Sequence, residues 1–321
     1  MKKKITNILV FGCSGLLGKC LIDYYQYKKN IKIHAAINKK KINNKNLRFV
    51  NSKKKNFIKS YIKKNCIDII INFAALTNIE ICEKNISLSK KSNYTLPVNL
   101  AKFSKELNLK YVFISTDNFK FKAKKLSENS KTESLNIYSI HKKKAENEIL
   151  KINPKSLIIR TNFYCFGDKE RQSFSDIILN SVKSNNEIRL FKDVYYTPIY
   201  GKFLLKYLFS LIRKKKYGIF NICSNEKITK YKFGHKICDN FDLNKKFIKV
   251  NYLKSRKDFV KRPLNMALDN NKLKKTLKIK IPSINHQIQV MKKDFINKDN
   301  IDKDQEKVVN KLITIEEQIN S

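Results

Sequence analysis

The chain has 321 residues, enough for one large domain or two linked lobes around a substantial core, and its apolar content of 42% excludes a disordered polymer. No apolar run approaches the roughly 18–20 residues that cross a bilayer, which excludes a membrane-spanning helix. Lysine and arginine outnumber acids 69 to 27, a net charge of +42, but the excess runs the whole length with abundant asparagine and isoleucine, as AT-rich codons produce; a lysine-coated solvated surface is expected, not a nucleic-acid-binding face.

The start, MKKKITNILVFG, runs into a strand and not into a cleavable signal, which predicts a cytoplasmic protein. Ile8 to Phe11 form an apolar run that leads into Gly12, Gly15 and Gly18, after which Leu21, Ile22, Tyr24 and Tyr25 recur at helical spacing. Only seven glycines occur in the chain, so three at three-residue intervals in one turn point to a geometric need. Gly12 allows the tight turn, Gly15 lets the main chain approach a pyrophosphate, and Gly18 lets the helix pack on the sheet. The unpaired N–H groups at the helix start then face an anion. A plain strand-to-helix turn that needs glycine for sharpness alone is the bland alternative.

Ile31 to Ile37 reads as a second strand, ending in Asn38 and Lys39, where the adenosine ribose lies in such folds. With no acid there to accept from a 2′-hydroxyl, NADPH is preferred, with NADH still open. Leu47 to Val50 is a short strand, Phe57 to Lys64 a helix, and Ile67 to Phe73 a doubly buried strand. Leu88 to Leu107 has helical period with a kink at Pro97, and Leu109 to Ser115 is another buried strand. A polar stretch, Lys120 to Leu135, precedes a helix over Ile137 to Lys151 and a strand over Ser156 to Arg160. Alternating strand and helix predict an α/β fold, a Rossmann-type doubly wound parallel sheet over 1–160. Beyond it the units shorten: a helix over Phe174 to Val182, a strand pair within Ile188 to Ile199, a helix over Lys202 to Arg213, a strand over Tyr217 to Ile222 and a helix over Tyr231 to Phe241. These predict a smaller mixed α/β substrate lobe over 161–290, able to exchange segments with the first, and a charged tail over 291–321. Seven scattered cysteines without a CxxC pair argue for reduced thiols and no metal site.

Tyr138 and Lys142, four apart at the start of a helix, share one face. A phenol ordinarily ionises near pH ~10, and a neighbouring ammonium would lower that value and make Tyr138 a proton donor and acceptor. Thr116, at the carboxyl end of the strand LKYVFIS, stands where open parallel sheets place ligands, and its hydroxyl could hold a carbonyl while Tyr138 protonates it. Tyr-x-x-x-Lys alone is a weak signal in a chain rich in both residues. Its order after a glycine turn and a strand ending in Ser-Thr-Asp is what raises it.

The succession GCSGLLG, NFAALT (72–77), STD (115–117), YSIHK (138–142) with Glu146 after it, and RTNF (160–163) resembles the extended short-chain dehydrogenase/reductases, and within them the dTDP-4-dehydrorhamnose reductase family. The resemblance continues through YYTPIY (195–200), YGIFNI (217–222) and RPLNMALDNNKL (262–273). It implies reduction of a nucleotide-linked 4-keto-deoxysugar for activated-sugar or surface polysaccharide synthesis. Tyr138 would protonate the oxygen, Lys142 would tune it and hold the nicotinamide ribose, and Thr116 would orient the carbonyl. Gly15, Leu16 and Leu17 would lie on the pyrophosphate, Asn51 and Ser52 near the adenine, and Ala74, Ala75 and Leu76 along the cofactor. Asp117 and Phe163 would line the sugar pocket, and Arg262 either meets a diphosphate or caps the lobe interface. The chain departs from the family pattern at Asn118 (usually tyrosine), Ser139 (usually glycine), His141 (usually a small hydroxyl residue) and Phe163 (commonly tryptophan). His141 is expected to be a packed or solvated helix residue. The resemblance also admits an epimerase or dehydratase, or a non-catalytic NADP-binding regulatory subunit, and leaves a homodimer open.

Overall fold

Ile8 to Phe11 are all buried, and a strand covered on both faces belongs inside a parallel sheet. The computed structural model describes residues 6–25, 30–37, 47–51, 55–167 and 171–296. Within them the first half alternates β1 (Thr6–Phe11), α1 (Leu16–Tyr25), β2 (Ile31–Ile37), β3 (Arg48–Asn51), α2 (Lys55–Lys64) and β4 (Ile69–Asn72). It continues with α3 (Ile79–Lys84), α4 (Ile86–Lys90), α5 (Leu96–Glu106), β5 (Lys110–Ile114), α6 (Ile137–Ile152) and β6 (Leu157–Arg160). The strands lie in the order β3-β2-β1-β4-β5-β6, every pair parallel. The order reverses between β1 and β4, and the crevice beyond the carboxyl ends of those two strands is where such sheets take ligands.

The second half supplies β7 (Phe163–Tyr164), α7 (Phe174–Lys183), β8 (Ile188–Phe191), β9 (Tyr195–Tyr196), β10 (Ile199–Tyr200), α8 (Gly201–Arg213), β11 (Gly218–Asn221), β12 (Ile228–Thr229), α9 (Lys230–Phe241), β13 (Ile248–Asn251) and α10 (Asn271–Leu277). The strand expected over 217–222 is a segment exchanged with the first half: β11 pairs with β6 and makes the main sheet seven-stranded. The strand pair expected within 188–199 does not form. β8 takes β13 as a parallel partner and β9 takes β12 antiparallel, since strands this short are completed by whichever edge the packing presents.

The expected kink near Pro97 is a π-helical turn, Lys91–Thr95, between α4 and α5. Pro97 occupies the first turn of α5, where its missing N–H costs nothing, and the Leu96 N–H reaches back five residues to the Lys91 carbonyl. Of the charged tail expected over 291–321, only 291–296 fall among the described residues, and they are helical. Residues 284–296 form one helix, with Met291 fully buried. Asp294 binds this helix to α1 and α8 by accepting from Tyr24 Oη at 2.6 Å, Tyr200 Oη at 3.0 Å and Lys202 Nζ at 2.8 Å. No helix among the described residues is long and apolar enough to cross a membrane. All seven cysteines are free thiols, six of them buried.

Candidate active site

Gly12 adopts φ +87°, and a Cβ there would stand 2.5 Å from the Ala74 backbone nitrogen, so this position admits glycine alone. Gly18 answers the same need for closeness, because its Cβ would lie 2.4 Å from the Gly12 carbonyl oxygen. The turn thus lets β1, α1 and the segment after β4 approach one another at the sheet's reversal point. Gly15 donates to the Gly12 carbonyl at 3.0 Å, and α1 carries no acid in its first turn. The first turn of α1 therefore brings no acid of its own to the helix's positive end, which fits a pyrophosphate. The Leu17 side chain is core, and Leu16 is half-buried. Any contact of either with an anion must come through the backbone.

Ala74, Ala75 and Leu76 are half-buried in the loop after β4. Asn93, on the π-helical turn, holds that loop: its Oδ1 accepts from the Leu76 N–H at 3.1 Å and its Nδ2 donates to the Leu76 carbonyl at 2.9 Å. The register shift that aims Asn93 inward cannot be read from apolar spacing, so this positioning residue escaped the sequence. Asn38, Lys39 and Ser52 lie outside the described residues. Asn51 ends β3 opposite Ile37, and its side chain is likewise outside the description.

Thr116 follows β5 and is 4% exposed. Its Oγ1 accepts from the Asn118 N–H at 3.1 Å, and it stands near enough to the Tyr138 phenol to oppose the rise in that group's pKa. Tyr138 sits in the first turn of α6, which Asn136 caps reciprocally with Ser139. Asn136 also donates to Asn118 Oδ1 at 3.0 Å and to the Lys261 carbonyl at 2.9 Å, so the unusual Asn118 is built into the cap. Burial dominates at Tyr138 and raises its pKa, with Thr116 opposing and Asp117 and Cys82 adding to the rise. The expected lowering by Lys142 is therefore corrected: the phenol holds its proton at neutral pH. Lys142 shares the buried face, but its Nζ donates to the Ile114 carbonyl at 2.6 Å and lies 4.2 Å from the Phe113 ring centre. Burial brings its pKa down to about 7, against the pull of Glu146 and Cys82.

Asp117 is buried, accepting from Asn162 Nδ2 at 2.9 Å, and burial pushes its pKa up to about 6 even though Asn162 and Lys230 oppose the shift. Asn162, within the RTNF motif, is the partner that residue-by-residue reading missed. Close by, the Tyr196 hydroxyl feels the charge of Asp117 and is buried with no hydrogen-bond partner among the described residues. Phe163 is half-buried against the core in β7. Arg262 does not lie free in the cleft. It pairs with Glu80 of α3, donates to the Val260 carbonyl at 3.1 Å and stacks near Phe259, which favours the lobe-capping role. His141 is a packed residue, its Nδ1 2.9 Å from Ser89 Oγ, with a pKa lowered by burial.

The raised value at Asp117 has a measurable sign. The folded chain holds that proton from about pH 4 to about 6, where an unfolded chain has lost it, so stability falls as pH rises through this window. Asp117→Asn removes the cost and keeps an acceptor for Asn162. It should stabilise the chain at pH 7.5 by on the order of 2–3 kcal/mol and by little at pH 4. Urea unfolding at both pH values checks this, and a pH-independent difference would refute it.

A family model described as RmlD substrate binding domain matches residues 6–297. Two curated relatives are the probable low-salt glycan biosynthesis reductase Agl14 of Haloferax volcanii, 23% identical over 71% of this chain and 78% of that one, and the dTDP-4-dehydrorhamnose reductase of Aggregatibacter actinomycetemcomitans, 24% identical over 86% and 94%. Among solved structures, a dTDP-4-dehydrorhamnose reductase from Clostridium acetobutylicum superposes with a TM-score of 0.77 at 23% identity over 91% of this chain and all of that one. A UDP-glucose 4-epimerase from Thermotoga maritima does so at 0.78 with 16% identity over 91% and 99%, so the shared fold does not separate the two chemistries.

Proposed function

The chain belongs to the RmlD substrate binding domain family, and on that premise we propose that it is an NADPH-dependent reductase of a nucleotide-linked 4-keto-deoxysugar, acting in the cytoplasm. The observation that carries the reading is that Thr116, just after β5, and Tyr138, in the first turn of α6, are both buried and interact at the sheet edge where the glycine turn also lies. The chemistry that NADPH would supply when bound is a hydride for the ketone carbon. Gly12, Gly15 and Gly18 shape the turn whose backbone, through Leu16 and Leu17, takes the cofactor's pyrophosphate, and Ala74 to Leu76 line its path. Asn51 and Ser52 are assigned to the adenine, and Asn38 and Lys39 to the 2′-phosphate.

Tyr138 keeps its proton because burial disfavours the phenolate, and a held proton is what a developing alkoxide needs. Thr116, which already acts on that phenol, orients the carbonyl. Lys142, whose Nζ now donates to the Ile114 carbonyl, would hold the nicotinamide ribose of a bound cofactor. Asp117 and Asn162 receive sugar hydroxyls, and Phe163 supplies an apolar wall.

An epimerase using the same dyad would return its hydride and consume no cofactor. The test is a panel of nucleotide 4-ketosugars followed by NADPH absorbance and product analysis. One NADPH lost per ketone reduced is expected. Sugar isomerised with no loss of NADPH would establish the epimerase instead, and an inert chain that still binds NADP and activates a partner enzyme would establish a regulatory subunit.

A further inference from the structure

Lys230 opens α9, where Thr229 caps the helix by accepting from the Lys232 N–H and the Lys230 N–H donates to the Val194 carbonyl at 3.1 Å. Its backbone is satisfied. Its ammonium is not: among the described residues it forms no ion pair and donates no hydrogen bond, and it lies over the Phe174 ring, 5.0 Å from the centre. A surface lysine extends its head into water, and an enclosed one is normally paired. Lys230 is half-buried, yet its ammonium is drawn far enough in for desolvation to lower its pKa.

The strand pairing fixes where that cation stands. Thr229 lies opposite Tyr195, Met266 donates to the Tyr195 carbonyl at 2.8 Å, and Asn118 Nδ2 reaches Met266 Sδ at 3.7 Å. The start of α9 is thereby stitched to the turn that carries Thr116 and Asp117. Two charges act on Lys230: the buried Asp117 and the more exposed Arg262, the latter already committed to Glu80. A sugar whose ketone meets Thr116 and Tyr138 would have its hydroxyls at Asp117 and its nucleoside outward, so its anionic linker passes between those two charges. A carboxylate on the sugar would instead be pressed against Asp117.

We propose that Lys230 is the chain's ligand for the diphosphate of the nucleotide-linked substrate, the positive charge between the ketosugar pocket and the Arg262–Glu80 rim. The inference rests on the sugar-nucleotide reading above. Its test is calorimetric titration of the full chain and of Lys230→Met and Lys230→Arg with dTDP, UDP, GDP and CDP, and with NADPH. The wild-type chain should bind at least one nucleoside diphosphate. Lys230→Met should weaken that binding by about 10–100-fold, Lys230→Arg should restore most of it, and NADPH affinity should be the same in all three. Equal diphosphate affinity in wild type and Lys230→Met overturns the inference and leaves the sugar-nucleotide reading standing. Parallel loss of NADPH binding in Lys230→Met assigns the residue to folding and overturns it as well. A wild-type chain that binds NADPH but none of the four diphosphates overturns both.

Discussion

Tyr138→Phe is expected to lower ketone-dependent NADPH oxidation by about 10²–10⁴-fold while the chain stays folded and binds NADPH. The phenol is buried, and Thr116 is the hydroxyl that acts on it. Phenylalanine fills the same space, so the change removes one oxygen and leaves no cavity. Thr116 keeps its bond from the Asn118 N–H, so no buried hydroxyl is stranded. What disappears is the proton held beside the incipient alkoxide. Single-turnover rates with saturating ketosugar isolate this from binding, because an interaction made only in the transition state lowers kcat and kcat/KM together. A variant with wild-type kcat would remove Tyr138 from the chemistry and leave the dyad a structural pair.

The sequence made some of this arrangement legible and hid the rest for identifiable reasons. Doubly buried strands such as Ile69–Asn72 announce themselves as apolar runs, and Gly12, Gly15 and Gly18 declare a close approach of main chains. Helical spacing correctly put Tyr138 and Lys142 on one buried face. It could not say what each side chain meets there, and the Ile114 carbonyl captures the ammonium that was expected to tune the phenol. β8 and β13 find each other across sixty residues (Ile188 opposite Ile248), a pairing that local pattern does not encode. Asn93 depends on a helical register shift, and Lys230 looks like any of the many lysines until the pairing of β9 with β12 sets its helix beside Asp117.

Glu146→Ala should cost about 3–5 kcal/mol of folding stability, a large share of the roughly 5–15 kcal/mol that holds a typical domain together. Glu146 and Arg160 have side chains 0% and 1% exposed, and Arg160 grips the carboxylate through Nε at 2.9 Å and Nη2 at 2.7 Å. Ser115 donates to the same carboxylate at 2.6 Å. Removing the acid strands a guanidinium in the core between β6, α6 and the Phe119 ring, 5.2 Å away. The loss comes from that uncompensated charge and not from the net worth of the pair, so Glu146→Leu with Arg160→Met should recover much of the stability. Denaturant unfolding of the single and double variants tests this, and a single variant within 1 kcal/mol of wild type would refute it. The double variant carries a second reading. Ser115 precedes Thr116, so a chain that is stable yet turns over slowly would show that the ion pair also aims the Thr116 hydroxyl at Tyr138.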